Sequence, residues 1–182
     1  MSFKFSKKWL KVILPSSVVS KAEKFAEAVV ETVNYADSNQ RNKTKIKNDH
    51  FISKIGEEAV CAAFRHFGQP INEPDYEIYK GTAKSWAADL VTNETEIAVK
   101  TQARSQAKKY GLSWTFQSSE KRFDPILNEP ESWVCFVVCD DTKANYECFV
   151  YQPQQIKNLL FEPPLLPHLK GKKQVVYAKN FK

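Results

Sequence analysis

A mixed α/β fold, a central mixed β-sheet flanked by helices, is what this sequence predicts, on three observations. Two stretches in the N-terminal third repeat apolar side chains at helical spacing. The rest of the chain carries short β-type runs separated by turn residues. One of these runs, WVCFVV at residues 133–138, is apolar without alternation, as in a strand buried on both faces.

The elements follow in order. Over residues 16–36, Val18, Val19, Ala22, Phe25, Ala26, Val29, Val30 and Val33 fall at the three-and-four spacing of an amphipathic helix, and Ser20 with Glu23 fits a capping box near its start. The polar, basic stretch SNQRNKTKIKND at residues 38–49 lacks apolar periodicity and reads as a loop or an exposed lead. A second helix is expected over residues 49–67, with Phe51, Ile52, Ile55, Ala59, Ala62, Ala63 and Phe67 as its stripe and Gly68 as its stop. Strands are expected at 76–79, 86–91, 96–101, 112–116, 133–139 and 148–151, then a late helix at 154–160 and a last strand at 174–178. The stretch FEPPLLPHLKGKK reads as a surface loop.

A chain of 182 residues is long enough to bury a substantial core, and one domain over residues 1–182 is the default. No apolar run approaches the roughly 18–20 residues that span a bilayer, and the basic start lacks a signal-peptide pattern, so a cytoplasmic location and no membrane partner are expected. Cys61, Cys135, Cys139 and Cys148 show no C-x-x-C spacing and read as small buried hydrophobes. His50, His66 and His168 have no spacing suited to zinc, and no P-loop, dinucleotide fingerprint or nucleophile elbow is present. The net charge of +6 suits a partner of dense negative charge.

Four segments occur in a fixed order: KIGEEAVCAAF, WAADLV, the turn TNETE, and IAVKTQ. In a strand, alternate side chains share a face, so Glu96, Ala98, Lys100 and Gln102 line one side, about 7 Å from each to the next. A hairpin through residues 92–95 would bring Asp89 beside them. A strand aspartate, a neighbouring strand lysine and a helix glutamate make a site for a hard divalent cation. There the lysine can orient or help deprotonate an attacking water.

In these segments, about residues 50–104, the sequence resembles the PD-(D/E)XK nucleases. Lys54-Ile55-Gly56-Glu57-Glu58 is similar to the family's helical Gly-Glu segment, Asp89 to its first-strand metal ligand, and Ile97-Ala98-Val99-Lys100-Thr101-Gln102 to its Ile-Glu-Val-Lys strand. The resemblance implies a restriction-endonuclease-like fold. It further implies Glu57, Asp89, the position of Ala98, and Lys100 as catalytic residues, with Asp89 and Glu57 on Mg²⁺ or, alternatively, Mn²⁺. Glu57 is favoured over Glu58 because Val60 and Phe64 follow it three and seven residues later; the choice is about 100° of helix rotation.

The departure is Ala98, where the family carries an acid and a methyl group can bind no metal. Three explanations stand open: Glu96 or the helix glutamate replaces the ligand, the protein is a DNA binder that no longer cuts, or the alanine was introduced. The implied activity is hydrolysis of duplex DNA by a type II restriction enzyme acting as a homodimer, since two strands need two sites. A junction resolvase or repair nuclease and a catalytically dead DNA-binding protein are the alternatives. The following stretch interleaves Arg104, Lys108, Lys109, Lys121 and Arg122 with Tyr110, Trp114 and Phe116, which suits phosphate contacts beside a groove-reading loop; Gln102, Arg104, Lys108, Lys109 and Trp114 are its expected DNA-binding residues.

Overall fold

The computed structural model describes residues 3, 5, 8–32, 42–78, 88–93, 95–143 and 145–181. In chain order its regular elements are β1 (Trp9–Ile13), α1 (Ser16–Thr32), α2 (Lys43–His66), β2 (Leu90–Thr92), β3 (Thr95–Ala103), α3 (Arg104–Tyr110), β4 (Ser113–Ser119), β5 (Arg122–Phe123), β6 (Trp133–Asp140), β7 (Glu147–Tyr151), β8 (Gln154–Gln155) and β9 (Lys173–Tyr177), joined in places by single 3₁₀ turns. The fold is α/β. The main sheet runs β1-β7-β6-β3-β2, with β8 paired to one end of β6, and a small second sheet runs β5-β4-β9. The sheet is mixed because β3 and β6 are parallel while the other pairs are antiparallel.

Two apolar cores lie on opposite faces of the main sheet. On one face Ile97 and Val99 of β3, Cys135, Val137 and Cys139 of β6, and Cys148 and Val150 of β7 pack with Ile55, Ala59, Val60, Ala63 and Phe64 of α2. On the other, Val134, Phe136 and Val138 of β6 meet Trp114, Phe116 and Val176 of the small sheet. Strand β6 is therefore buried from both sides, which is why WVCFVV lacks alternation. All four cysteines are buried free thiols, and burial pushes the Cys61 thiol up to about 12. No helix among the described residues is long and apolar enough to cross a membrane.

Several expected elements differ. Helix α1 begins at Ser16, with Val18 and Val19 donating to the Pro15 carbonyl at 3.0 and 3.2 Å, so Ser20 lies inside the helix and Ser20 with Glu23 is no capping box. Helix α2 begins at Lys43, earlier than expected, because the Asn42 side chain accepts from the Lys45 amide at 3.0 Å and Lys47 pairs with Glu27 of α1 at 2.7 Å. Ion pairs hold a turn that apolar spacing could not reveal. Residues 76–78 form no strand: the Tyr76 hydroxyl donates to Glu58 and its ring packs edge-on to Phe25, so the side chain sits between α1 and α2. Residue 79, the expected strand at residues 86 and 87, the last helical residues 33–36 and the loop residues 38–41 lie outside the described residues.

The expected helix at 154–160 is instead β8 followed by one 3₁₀ turn, Ile156–Asn158. Ile156, Leu159 and Leu160 have helical spacing, but the backbone is committed to a neighbour. The Ile156 and Lys157 amides donate to the carbonyls of Ser132 and Pro130 at 3.0 Å each, and Gln154 and Gln155 pair with β6. Conversely, β1 and α3 were unexpected. Strand β1 alternates correctly but reads in sequence as part of a basic leader, and α3 has no buried residue to create a periodic signal.

Candidate active site

Helix α2 lies against β3 because residue 56 has no side chain. A Cβ there would come within 1.7 Å of the Thr101 Oγ1 atom. This close approach holds the next residue, Glu57, against the sheet, where it is 3% exposed. Its carboxylate accepts from Lys54 Nζ at 2.6 Å and from Ser53 Oγ at 3.4 Å. Burial raises the Glu57 carboxyl to about 7; Lys54 opposes the shift and the charge of Asp89 adds to it. The neighbouring Glu58 is turned away, accepting from the Tyr76 hydroxyl at 2.9 Å.

Asp89 is brought to β3 by the β2–β3 hairpin, whose register pairs Leu90 with Ile97 and Thr92 with Thr95 around Asn93 in a left-handed conformation. One residue before β2, its Oδ2 accepts from the Val99 amide at 2.7 Å, continuing the ladder with a side chain. Burial raises its carboxyl, against the opposing effects of the Val99 amide, Lys100 and Lys54, and Asp124 adds to the rise. Asp89 thus lies within electrostatic reach of Glu57 and Lys54 on one side and of Lys100 and Asp124 on the other.

Lys100 projects from the opposite face of β3 to Val99. Its Nζ donates to Asp124 at 2.8 Å and lies 4.8 Å from the centre of the Phe116 ring. Asp124 is itself fixed, accepting from the Gln117 amide at 3.1 Å while its own amide donates to the Gln117 carbonyl at 2.9 Å. Ala98, on the same face as Lys100, packs against the second core. Sequence reading missed Asp124, which follows a two-residue strand in KRFDP with no spacing that ties it to Lys100. It also gave Lys54 no role, although three residues before a helix glutamate is the spacing of an ion pair.

The residues expected to meet DNA have different fates. Trp114 is 2% exposed, donates to the Val137 carbonyl at 3.0 Å and stacks on Phe181; it is a core residue and not the DNA contact expected of it. Gln102 ties β3 to the start of β4, donating to the Gly111 carbonyl at 3.1 Å and accepting from the Ser113 amide at 3.0 Å. Arg104 is exposed and pairs with buried Asp140 at 2.9 Å. Lys108 and Lys109 are exposed on α3, which replaces the expected loop.

Among the described residues no three or more carboxylate, histidine or cysteine side chains gather as a metal site. Among the described residues Glu57, already paired with Lys54, and Asp89 offer two carboxylates whose charges act on each other, hard oxygen ligands whose burial a cation would offset. That fits an ion such as Mg²⁺, which keeps several waters and binds through one or two carboxylates plus substrate phosphate. Compared with protein families, curated proteins and solved structures, the chain finds no match in any of the three.

Proposed function

We propose that this chain is a metal-dependent DNA endonuclease of the PD-(D/E)XK kind, with a restriction-endonuclease-like fold, acting on duplex DNA as a homodimer. The observation that carries the reading is the place of Asp89 at the edge of β3, between Glu57 of α2 on one face and Lys100 on the other, with both carboxyls raised by burial. Buried carboxyls that resist ionisation beside lysines are a common mark of a functional site.

Glu57 and Asp89 would hold the cation. When bound, the ion supplies stabilisation of charge developing on the scissile phosphate and a more acidic water. Lys100 orients the attacking water by donating to its oxygen, and the proton the water gives up would pass to solvent. Asp124 is a positioning residue: its ion pair fixes the Lys100 ammonium on the substrate side of β3. The position of Ala98 lies on the Lys100 face and opposite Asp89 by extension of the β2–β3 register, so an acid there would enter the same site.

A second reading, a DNA-binding protein that does not cut, is favoured by Ala98 itself, which packs against apolar neighbours. Incubation of plasmid with Mg²⁺ separates the readings. Discrete fragments support a restriction enzyme, cutting confined to branched DNA supports a resolvase, and binding without cutting supports the inactive binder. The Ala98→Glu protein is assayed in parallel, and if neither form cuts any DNA the nuclease reading fails.

A further inference from the structure

Among the described residues, the sheet face that bears Lys100 is roofed only in part. The small sheet covers β6, where Trp114 lies against Phe136 with ring centres 4.7 Å apart. Beyond it, β7 and β1 present half-buried Phe149 and Tyr151 and the exposed side chains of Trp9 (46%) and Ile13 (57%). The Trp9 and Phe149 rings meet edge to face at 5.2 Å. Helix α3 stands beside this surface, and between them opens a pocket of about 430 Å³ lined by Trp9, Phe149, Tyr151, Val138, Arg104 and Lys108. That volume falls in the range of about 300–1,000 Å³ typical of small-ligand sites.

The chemistry of the walls is specific. Arg104 and Lys108 are four residues apart on α3 and so share one side of the helix. Asp140, 2% exposed, engages Arg104 through Nη1, which orients the guanidinium and leaves its other donors free of that bond. An aromatic floor beside two cations matches a flat, π-faced group carrying negative charge. Aromatic side chains hold bases of any sequence by stacking, while Arg and Lys hold the phosphates.

We propose that this pocket takes a nucleobase from an unpaired strand, stacked against Trp9 and Tyr151, with its phosphate on Arg104 and Lys108. A paired base already lies within its own stack, so the pocket selects single-stranded or flipped nucleotides. The cross-strand row Gln102, Val138, Phe149 sets the pocket two strands from β3 on the Lys100 face, a separation of about 10 Å. The proposal shares the nucleic-acid partner with the endonuclease reading and does not depend on cleavage.

The test measures binding of labelled oligothymidylate and of a duplex of equal length to the full chain in EDTA. Trp9→Ala should weaken the single strand about tenfold and the duplex less than about twofold, and Trp9→Phe should restore most of the loss. Lys108→Ala should weaken the single strand and reduce its salt dependence. The proposal is overturned if Trp9→Ala weakens both DNAs equally or neither, or if the wild type does not bind the single strand. Plasmid cleavage that persists alongside such a result would leave the endonuclease reading standing, and single-strand binding without any cleavage would leave the pocket standing alone.

Discussion

The two faces of strand β3 differ in what they tolerate. On one, Ile97, Val99 and Thr101 meet helix α2 so closely that residue 56 has no room for a methyl group. On the other, Ala98, Lys100 and Gln102 face the edge of a second core, and their polar ends find partners in Asp124, Gly111 and Ser113. One strand thus separates a face where volume is limiting from a face where charge is limiting. Asp89, at the strand's edge, belongs to both. The lesson is that rigidity on the first face sets the position of the groups on the second.

Four substitutions test that division, in falling order of effect. Lys100→Ala should reduce cleavage by at least about 100-fold while duplex binding in EDTA changes little; a comparable loss of binding would refute the role given to the lysine. Gly56→Ala should cost about 2–3 kcal/mol, seen as a lower denaturant midpoint at unchanged slope. Adding Thr101→Ala should recover part of that loss, since the two residues share one contact.

The third concerns pH. The folded protein holds the Glu57 proton up to about 7, whereas an unperturbed glutamate titrates at 4.5. The folded pKa is the higher, so the stabilisation is fully present below 4.5 and is lost as pH rises through about 7. The wild type should therefore lose on the order of 2 kcal/mol between pH 5 and pH 8, and Glu57→Gln should flatten that slope in thermal melts across the range. A slope unchanged in the variant would remove Glu57 as its source. The smallest effect is expected for Thr101→Val. Among the described residues the buried Thr101 hydroxyl has no hydrogen-bond partner, so its loss should stabilise by about 1 kcal/mol or less, read from the same midpoint.

How much of this was legible beforehand depends on where each element draws its stability. Helix α1, the body of α2, and strands β3, β4, β6, β7 and β9 bury apolar side chains along their length, and their patterns could be read directly. The first turns of α2 rest on Asn42 and on ion pairs with α1, and α3 rests on Asp141, whose carboxylate accepts from the Ser105 amide at 2.9 Å. Such partners are distant in sequence and leave no periodicity. The same holds in the site: the order of Glu57, Asp89 and Lys100 was visible, because a helix and a hairpin place them by local rules. Asp124 became visible only through folding, and Trp114 looked like a surface aromatic until the small sheet buried it.

Asp89 also guards a sheet edge. Among the described residues, strand β2 covers Thr95–Ile97 of β3, and the next outward amide, that of Val99, is taken by the Asp89 carboxylate. An unpaired strand edge invites pairing with another chain, so the candidate metal ligand also keeps this edge from acting as a template for self-association. Removing the side chain with Asp89→Ala would therefore mix loss of chemistry with loss of solubility. Asp89→Asn, which keeps an oxygen for the Val99 amide, isolates the charge.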